Sequence, residues 1–382
     1  MRTGILTFHY AHHYGAQLQA YALMRAIGLL GFDCEIINYV RKDNIDGSRL
    51  FKKGLTPVSM ISNMNTLLNY GMLKKRHDRF NSFVRNEMKL SDRFYGSYEG
   101  LCDAPPLYDV YVCGSDQIWN PLIFKEKNYD PAFFADFAET GRRVSYAPSF
   151  GISTIPEDKR EKLSKYLENF DCLSVREKQG ENIIREITGR ESVTVLDPTL
   201  LLNGDQWSKL AVPPENREPY ILCYFITDAR KYSEYIKVFS EKHGLPVVSL
   251  CGSQRVVPQT SRKVLDAGPR EFLGLFAGAS AVCTDSFHGT VFSINFNKEF
   301  YCFDSSSDPT KAVSSRLHNI LEMTGLGARL YSIAEGSSGF EKLIGERTEP
   351  IDYQKIGQML QKKREESLQY LKGALNKVCR DY

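Results

Sequence analysis

Short apolar runs alternate with stretches of helical periodicity along most of the chain. Residues 3–8 form one such run, ended by His9, and residues 17–30 then place apolar side chains at helical spacing. Gly31 stops that helix, and residues 34–39 read as the next strand, which makes a strand, helix, strand opening. Further strands are expected at 108–113, 143–147, 172–175 and 193–200, with helices over 157–170 and 180–188. Polar and Pro-rich breaks at 203–205 and 213–219 flank a short segment around Trp207. The same rhythm then restarts, with strands at 220–225, 246–250, 281–284 and 299–303 and helices over 229–243 and 269–277. The pattern predicts an α/β protein of two Rossmann-like domains facing a cleft. Their expected bounds are 1–205, a linker at 206–219, and 220–345, followed by a charged amphipathic helix over 351–378 that returns to the first domain. Amphipathic helices over 59–90 read as an insertion carried by residues 41–95.

Composition supports this picture and narrows the function classes. With 382 residues, the chain exceeds the size at which a single core stops growing. The formal charge of +3 excludes a dedicated nucleic-acid binder. Residues 41–95 nevertheless hold twelve basic and five acidic side chains, an excess suited to an anionic acceptor or a phospholipid surface, or else a solvated helical face. Nine cysteines are scattered without CxxC or metal-like spacing and read as reduced core residues. No run approaches the ~20 apolar residues that span a bilayer and no leader pattern is visible, so the expected location is cytoplasmic, with peripheral membrane contact open. The 21 Tyr and 22 Phe suit either a carbohydrate-facing cleft or an aromatic core.

Candidate chemistry sits where strands end. Residues 281–295 read as a buried strand, a polar turn and a helix beginning near Thr290, which puts His288 and Asp285 at a strand-to-helix junction. Such junctions lie at the ligand-binding edge of an open α/β sheet, and the helix start offers N–H donors to anions. His288 in this position is either catalytic or a hydrogen-bonded structural residue. The strand at 108–113 runs into Gly114, Ser115, Asp116 and Trp119, where Asp116 fits a base or a sugar-orienting group, and Ser115 or Asp116 fits a cap equally well. Arg176, at the end of another strand, has a guanidinium suited to phosphate or carboxylate, or to an ion pair with Glu177 or Asp197. Arg316, near the start of a later helix, is a further candidate cation. The loop from Phe8 to Gln17 carries His9, His12 and His13 without acidic or cysteine companions, which favours substrate contact over a metal.

The segments Tyr14-Gly15-Ala16-Gln17, Gly114-Ser115-Asp116-Gln117-Ile118-Trp119-Asn120, Ser174-Val175-Arg176-Glu177, Asp197-Pro198-Thr199-Leu200 and Asp285-Ser286-Phe287-His288-Gly289-Thr290 occur in an order that resembles the polysaccharide pyruvyl transferases. The resemblance covers roughly residues 3–330. It implies a GT-B-like fold and transfer of pyruvate from phosphoenolpyruvate to two hydroxyls of a sugar residue, forming a ketal and releasing phosphate. No metal or cofactor beyond the co-substrate is implied. Carried over by position, His288 corresponds to the family's essential histidine; the residues themselves add Asp116 and Asp285 as base or orienting groups. Arg176 corresponds to the arginine that holds the donor; the helix start with Ser286, Gly289 and Thr290, and Arg316, are expected to join it because a phosphate and a carboxylate call for such donors. The acceptor side is expected from His9, His13, Tyr14, Gln17, Ser115 and Trp119. His13 stands where the family commonly has Asn, which bears on the acceptor, and that acceptor could be lipid-linked and met at the inner face of the membrane. A nucleotide-sugar glycosyltransferase of the same architecture and a non-catalytic carbohydrate-binding protein are the competing readings.

Overall fold

The structure is a computed structural model that describes residues 1–251, 256–304, 312–346 and 349–377. It divides into two compact units: Met1–Tyr70, Phe80–Leu202 and Gln361–Tyr382 form the first, and Gly71–Arg79 with Asn203–Leu360 the second.

In the first unit β1 (Arg2–Leu6), β2 (Asp33–Ile36), β3 (Val110–Cys113) and β4 (Arg142–Ser145) form a parallel sheet in the order β2-β1-β3-β4. A parallel pair, β5 (Ser174–Val175) and β6 (Val193–Thr194), extends from β4 through a bridge between Val144 and Cys172. All four residues of β3 are buried, as a parallel sheet covered on both faces requires. The Tyr14–Leu29 helix connects β1 to β2, and Gly31, at φ 88°, supplies the left-handed residue that ends it. The chain leaves β1 toward β2 and later returns to β1's other side as β3. That reversal puts a topological switch point between the carboxyl ends of β1 and β3.

The 193–200 segment departs from the expected continuous strand. β6 ends at Thr194, and Asp197 caps a short helix, Pro198–Leu201, by accepting the Thr199 N–H at 3.0 Å. Proline lacks the N–H of a central strand but fits a first helical turn, so the Asp-Pro step starts a helix here. The last helix, Tyr353–Leu375, gives the first unit its residues from Gln361 onward. There Ser367 accepts the Leu196 N–H at 3.0 Å and Tyr370 donates to the Ser145 carbonyl at 3.0 Å. Residue 378, in the expected helix, lies outside the described residues.

The second unit is a six-stranded parallel sheet of order β12-β11-β10-β7-β8-β9. Its strands are β7 (Ile221–Tyr224), β8 (Val247–Leu250), β9 (Thr260–Val264), β10 (Ala281–Thr284), β11 (Glu299–Asp304) and β12 (Leu330–Ser332). The chain builds outward from β7 through β8 to β9 and then returns as β10 on β7's other side, so a second switch point lies between β7 and β10. β9 and β12 are edge strands that the apolar pattern does not reveal: β9 is only partly buried and β12 has three residues. Part of the expected linker is folded. Asn203 and Gln206 form a capping box for the Gly204–Leu210 helix, whose fully buried Trp207 meets Phe292 edge-on at 5.2 Å.

Seven cysteines (34, 102, 113, 223, 251, 283 and 302) are free, as expected, but Cys102 is exposed and Cys251 half-buried, so these two are not the core residues expected. Cys172 corrects that expectation by being disulfide-bonded, and Cys379 lies outside the described residues. Among the described residues no helix is long and apolar enough to cross a membrane.

Candidate active site

The switch point of the second unit is built from the exits of β7 and β10. After Thr284 the chain makes a two-residue turn, and Ser286 caps the Phe287–Asn295 helix, its hydroxyl accepting the Gly289 N–H at 3.4 Å. The helix therefore begins one turn earlier than the sequence suggests, and His288 is its second residue. The imidazole is 4% exposed, edge-on to Phe287 with 5.1 Å between ring centres. The close fit of helix on strand fixes this position: a Cβ at Gly289 would stand 2.3 Å from Thr284 Oγ1. Thr284 Oγ1 in turn donates to the Tyr224 carbonyl at 2.6 Å and accepts the Ser286 N–H at 3.1 Å, tying the turn to both central strands.

Asp285 has a different place from the base expected of it. One carboxylate oxygen accepts the Ile226 N–H at 2.7 Å. The other accepts the Thr227 N–H at 3.1 Å, the Thr227 hydroxyl at 2.5 Å and the Tyr232 hydroxyl at 3.1 Å. Four donors satisfy this buried carboxylate, so Asp285 clasps the β7 exit loop against the turn that leads into the His288 helix. Thr227 and Tyr232 are the residues that sequence reasoning missed; the placement of residues 226–227 just beyond a central strand was the available signal. Thr290 is fully buried, its hydroxyl bonded to the Ser286 carbonyl at 3.1 Å and lying 2.9 Å from Cys302 Sγ. Its side chain thus supports the helix start, as does that of Ser286, while Gly289 lets the helix approach Thr284 closely. Arg316 is half-buried on the Ala312–Met323 helix, which packs against the His288 helix.

The switch point of the first unit gathers a second set. Thr7, just past β1, donates from its hydroxyl to the Ser115 carbonyl at 2.9 Å, and Gln19 donates to Thr7 Oγ1 at 2.8 Å. Ser115 is fully buried and donates to Asp197 at 3.1 Å. Asp116 sits at φ 72° and Ala147 at φ 56°, side by side through the bridge between Asp116 and Pro148. Left-handed non-glycine residues cost about 1–3 kcal/mol each and gather where function demands them.

Two of the three guanidinium nitrogens of Arg176 are engaged inside the first unit. Nε donates to Glu177 at 2.8 Å and Nη1 to Asp197 at 2.9 Å, and its side chain is 2% exposed. Burial opposes the charge, but Glu177, Asp197 and Asp116 together hold the guanidinium more firmly protonated than a free arginine. The ion pair weighed in the sequence is what forms, because Asp197 reaches the same point as the cap of the next helix.

Several expected acceptor residues also turn inward. Trp119 is fully buried, its indole N–H bonded to the Phe133 carbonyl at 3.1 Å and its ring stacked on Phe134 at 5.4 Å. It is a core residue and cannot meet a sugar. His9 is 1% exposed, facing the Thr7 carbonyl at 3.3 Å and Asn38 Oδ1 at 3.4 Å. Burial lowers its pKa more than those two partners raise it. His13 caps the Tyr14–Leu29 helix, its Nδ1 accepting the Ala16 N–H at 3.3 Å, which is the capping work that Asn also performs. Tyr14 is buried, its ring 5.0 Å from that of Phe80. Gln17 differs from all of these: its fully buried amide has neither Nε2 nor Oε1 in a hydrogen bond. A buried unsatisfied amide costs about 1–3 kcal/mol, so Gln17 keeps its place among the acceptor candidates on physical grounds. Among the described residues no three His, Cys, Asp or Glu side chains group as ligands for a metal ion.

The family model for polysaccharide pyruvyl transferase matches residues 13–307. No curated protein sequence matches the chain. Among solved structures, a Listeria monocytogenes protein described as a UDP-N-acetylglucosamine 2-epimerase is similar over 100% of this chain and 98% of its own, with a TM-score of 0.51 at 11% identity. The Methanocaldococcus jannaschii UDP-GlcNAc 2-epimerase is similar over 94% and 99%, with a TM-score of 0.49 at 12% identity. The E. coli heptosyltransferase is similar over 91% and 99%, with a TM-score of 0.44 at 11% identity. The first of these likenesses agrees with the two parallel α/β units in showing a GT-B-like fold.

Proposed function

This chain belongs to the polysaccharide pyruvyl transferase family, and from that premise we propose that it joins the pyruvyl group of phosphoenolpyruvate to two hydroxyls of one sugar residue. The match that includes His288, together with that residue's place at a helix start beside a switch point, is the observation that carries this reading.

Phosphoenolpyruvate brings a phosphate and a carboxylate. The first N–H groups of the Phe287–Asn295 helix and the Arg316 guanidinium are the donors of the second unit suited to them. Protonated His288 gives its proton to the methylene carbon, leaving an oxocarbenium-like carbon that one sugar hydroxyl attacks. Phosphate then leaves with the C–O bonding electrons, and the second hydroxyl closes the ketal. The two hydroxyl protons balance the one given to carbon and the one carried away by phosphate. Asp285 acts by holding the turn, and Asp116 is the candidate that orients the acceptor. The scheme asks for no metal. The proposed acceptor is a polysaccharide or its precursor, lipid-linked or free, and the proposed place of the reaction is the cytoplasm or the inner face of the membrane.

The test is a mass-spectrometric screen of candidate glycans with phosphoenolpyruvate. The expected product is heavier by one pyruvic acid less one water, with one phosphate released per ketal. Stabilisation against heat by a nucleotide sugar, with none by phosphoenolpyruvate, would replace this reading with a glycosyltransferase.

A further inference from the structure

The Pro57–Leu68 helix is built inside out. Its polar side chains turn toward the protein: Ser59 and Thr66 are buried, Ser59 donating to the Gly54 carbonyl at 2.8 Å and Thr66 to the Leu50 carbonyl at 3.3 Å. Asn63 brackets Lys52, accepting its N–H at 2.8 Å and donating to its carbonyl at 3.0 Å. The apolar side chains turn outward instead, with Val58 71%, Ile61 71%, Met64 59% and Leu68 76% exposed, and Leu55 just before the helix 91%. This reverses the rule for a helix on a globular protein, whose apolar stripe faces the core. Such exposure is concentrated here: ten of the seventeen large apolar side chains that stand exposed among the described residues fall between Phe51 and Met72.

The charge pattern identifies what this face meets. In the same unit, the segment from Asp46 to Tyr70 has three basic residues, Arg49, Lys52 and Lys53, against one acidic, Asp46, which pairs with Arg49 at 3.0 Å and Lys53 at 3.5 Å. A protein partner would need acidic groups to answer that positive excess. A second copy would instead bring the same net positive segment against it, and like charges in apposition disfavour the contact. An anionic bilayer answers both features, taking the apolar side chains into its acyl boundary and the cations at its headgroups. At about 1.5 Å per residue, twelve residues reach about 18 Å, which suits lying in the interface and is too short to span it.

We infer that the Pro57–Leu68 helix docks the protein on an anionic phospholipid surface. This goes beyond the transfer reaction and stands whether or not phosphoenolpyruvate is the donor. The experiment is co-sedimentation of the full chain with vesicles of phosphatidylcholine alone or mixed equally with phosphatidylglycerol. Binding is expected on the mixed vesicles and weakened by salt. Ile61→Glu/Met64→Glu, at two exposed positions that need no refolding, is expected to lower the affinity at least tenfold while leaving the circular dichroism spectrum unchanged. Lys52→Glu/Lys53→Glu is expected to lower it about fivefold or more per lysine. No sedimentation with the anionic vesicles, or equal sedimentation of the Ile61→Glu/Met64→Glu variant, overturns the inference. Self-association in sedimentation velocity that this variant abolishes, without vesicle binding, also overturns it and assigns the face to a second copy.

Discussion

Thr284 Oγ1 stands 2.3 Å from the point where a side chain at position 289 would begin. A helix interior ordinarily favours Ala over Gly by about 1 kcal/mol. Here the hydroxyl is fixed by bonds to Tyr224 and Ser286, so the added methyl has to move the turn or the helix. Gly289→Ala is expected to destabilise the protein by about 1–3 kcal/mol in urea unfolding. Thr284→Ala should recover part of that loss in the double variant, giving a non-additive cycle; strict additivity would show that the two residues do not press on each other.

His288 and Asp285 are neighbours in sequence with separable expected effects. His288→Gln should leave the unfolding midpoint nearly unchanged and lower the rate of phosphate release from phosphoenolpyruvate and acceptor by about 10²–10⁴-fold, the usual range for a lost general acid. Asp285→Ala strips four donors of their acceptor and is expected to cost about 3 kcal/mol or more of stability, with any loss of rate following from a loosened loop. Near-wild-type stability in Asp285→Ala would restore Asp285 as a candidate for the chemistry itself.

Most of the parallel core was legible because buried strands are short apolar runs bounded by turn residues. β10 falls on residues 281–284, as the pattern predicts, whereas His288, read as part of the exit turn, lies in the first turn of the helix that follows. What escaped has identifiable causes. β9 is only partly buried, so its sequence, Thr-Ser-Arg-Lys-Val, carries no apolar signal. Trp119 follows a strand end, where ligands bind, but spacing cannot tell an outward ring from one stacked on Phe134. The fate of Arg176 depended on Asp197, twenty-one residues later, arriving within 2.9 Å of its guanidinium. The inside-out helix at 57–68 has an apolar stripe that sequence alone assigns to a core. Only the packing of Ser59 and Thr66 shows that the stripe faces water.

Arg176 gives a stability prediction that its sequence position did not suggest. Arg176→Met removes the cation from two buried carboxylates, Glu177 and Asp197, and should cost about 3–5 kcal/mol in urea unfolding, as breaking a buried pair from one side does. Arg176→Lys keeps the charge but cannot bond both carboxylates in the same fork, so an intermediate loss is expected. If Arg176 held the donor directly, Arg176→Lys would raise the KM for phosphoenolpyruvate far more than it lowered stability. A variant with an unchanged KM and a lowered unfolding midpoint fits the ion-pair role.

The buried His9 predicts how stability depends on acidity. An exposed histidine takes up a proton near pH 6.5, whereas burial lowers the pKa of His9 in the folded protein. Above pH 6.5 both states are neutral at this site, and His9 adds no pH dependence. As the pH falls below 6.5 the unfolded chain binds a proton that the folded protein refuses, so stability declines toward the depressed folded pKa and then levels off. The slope from this one residue is at most about 1.4 kcal/mol per pH unit. His9→Asn, which keeps a polar group beside Thr7 and Asn38, should flatten this part of the profile between pH 6.5 and 5 even if it lowers stability at pH 8. Equal slopes for the two proteins in urea unfolding across that window would show that His9 accepts its proton in the folded state as readily as in the unfolded one.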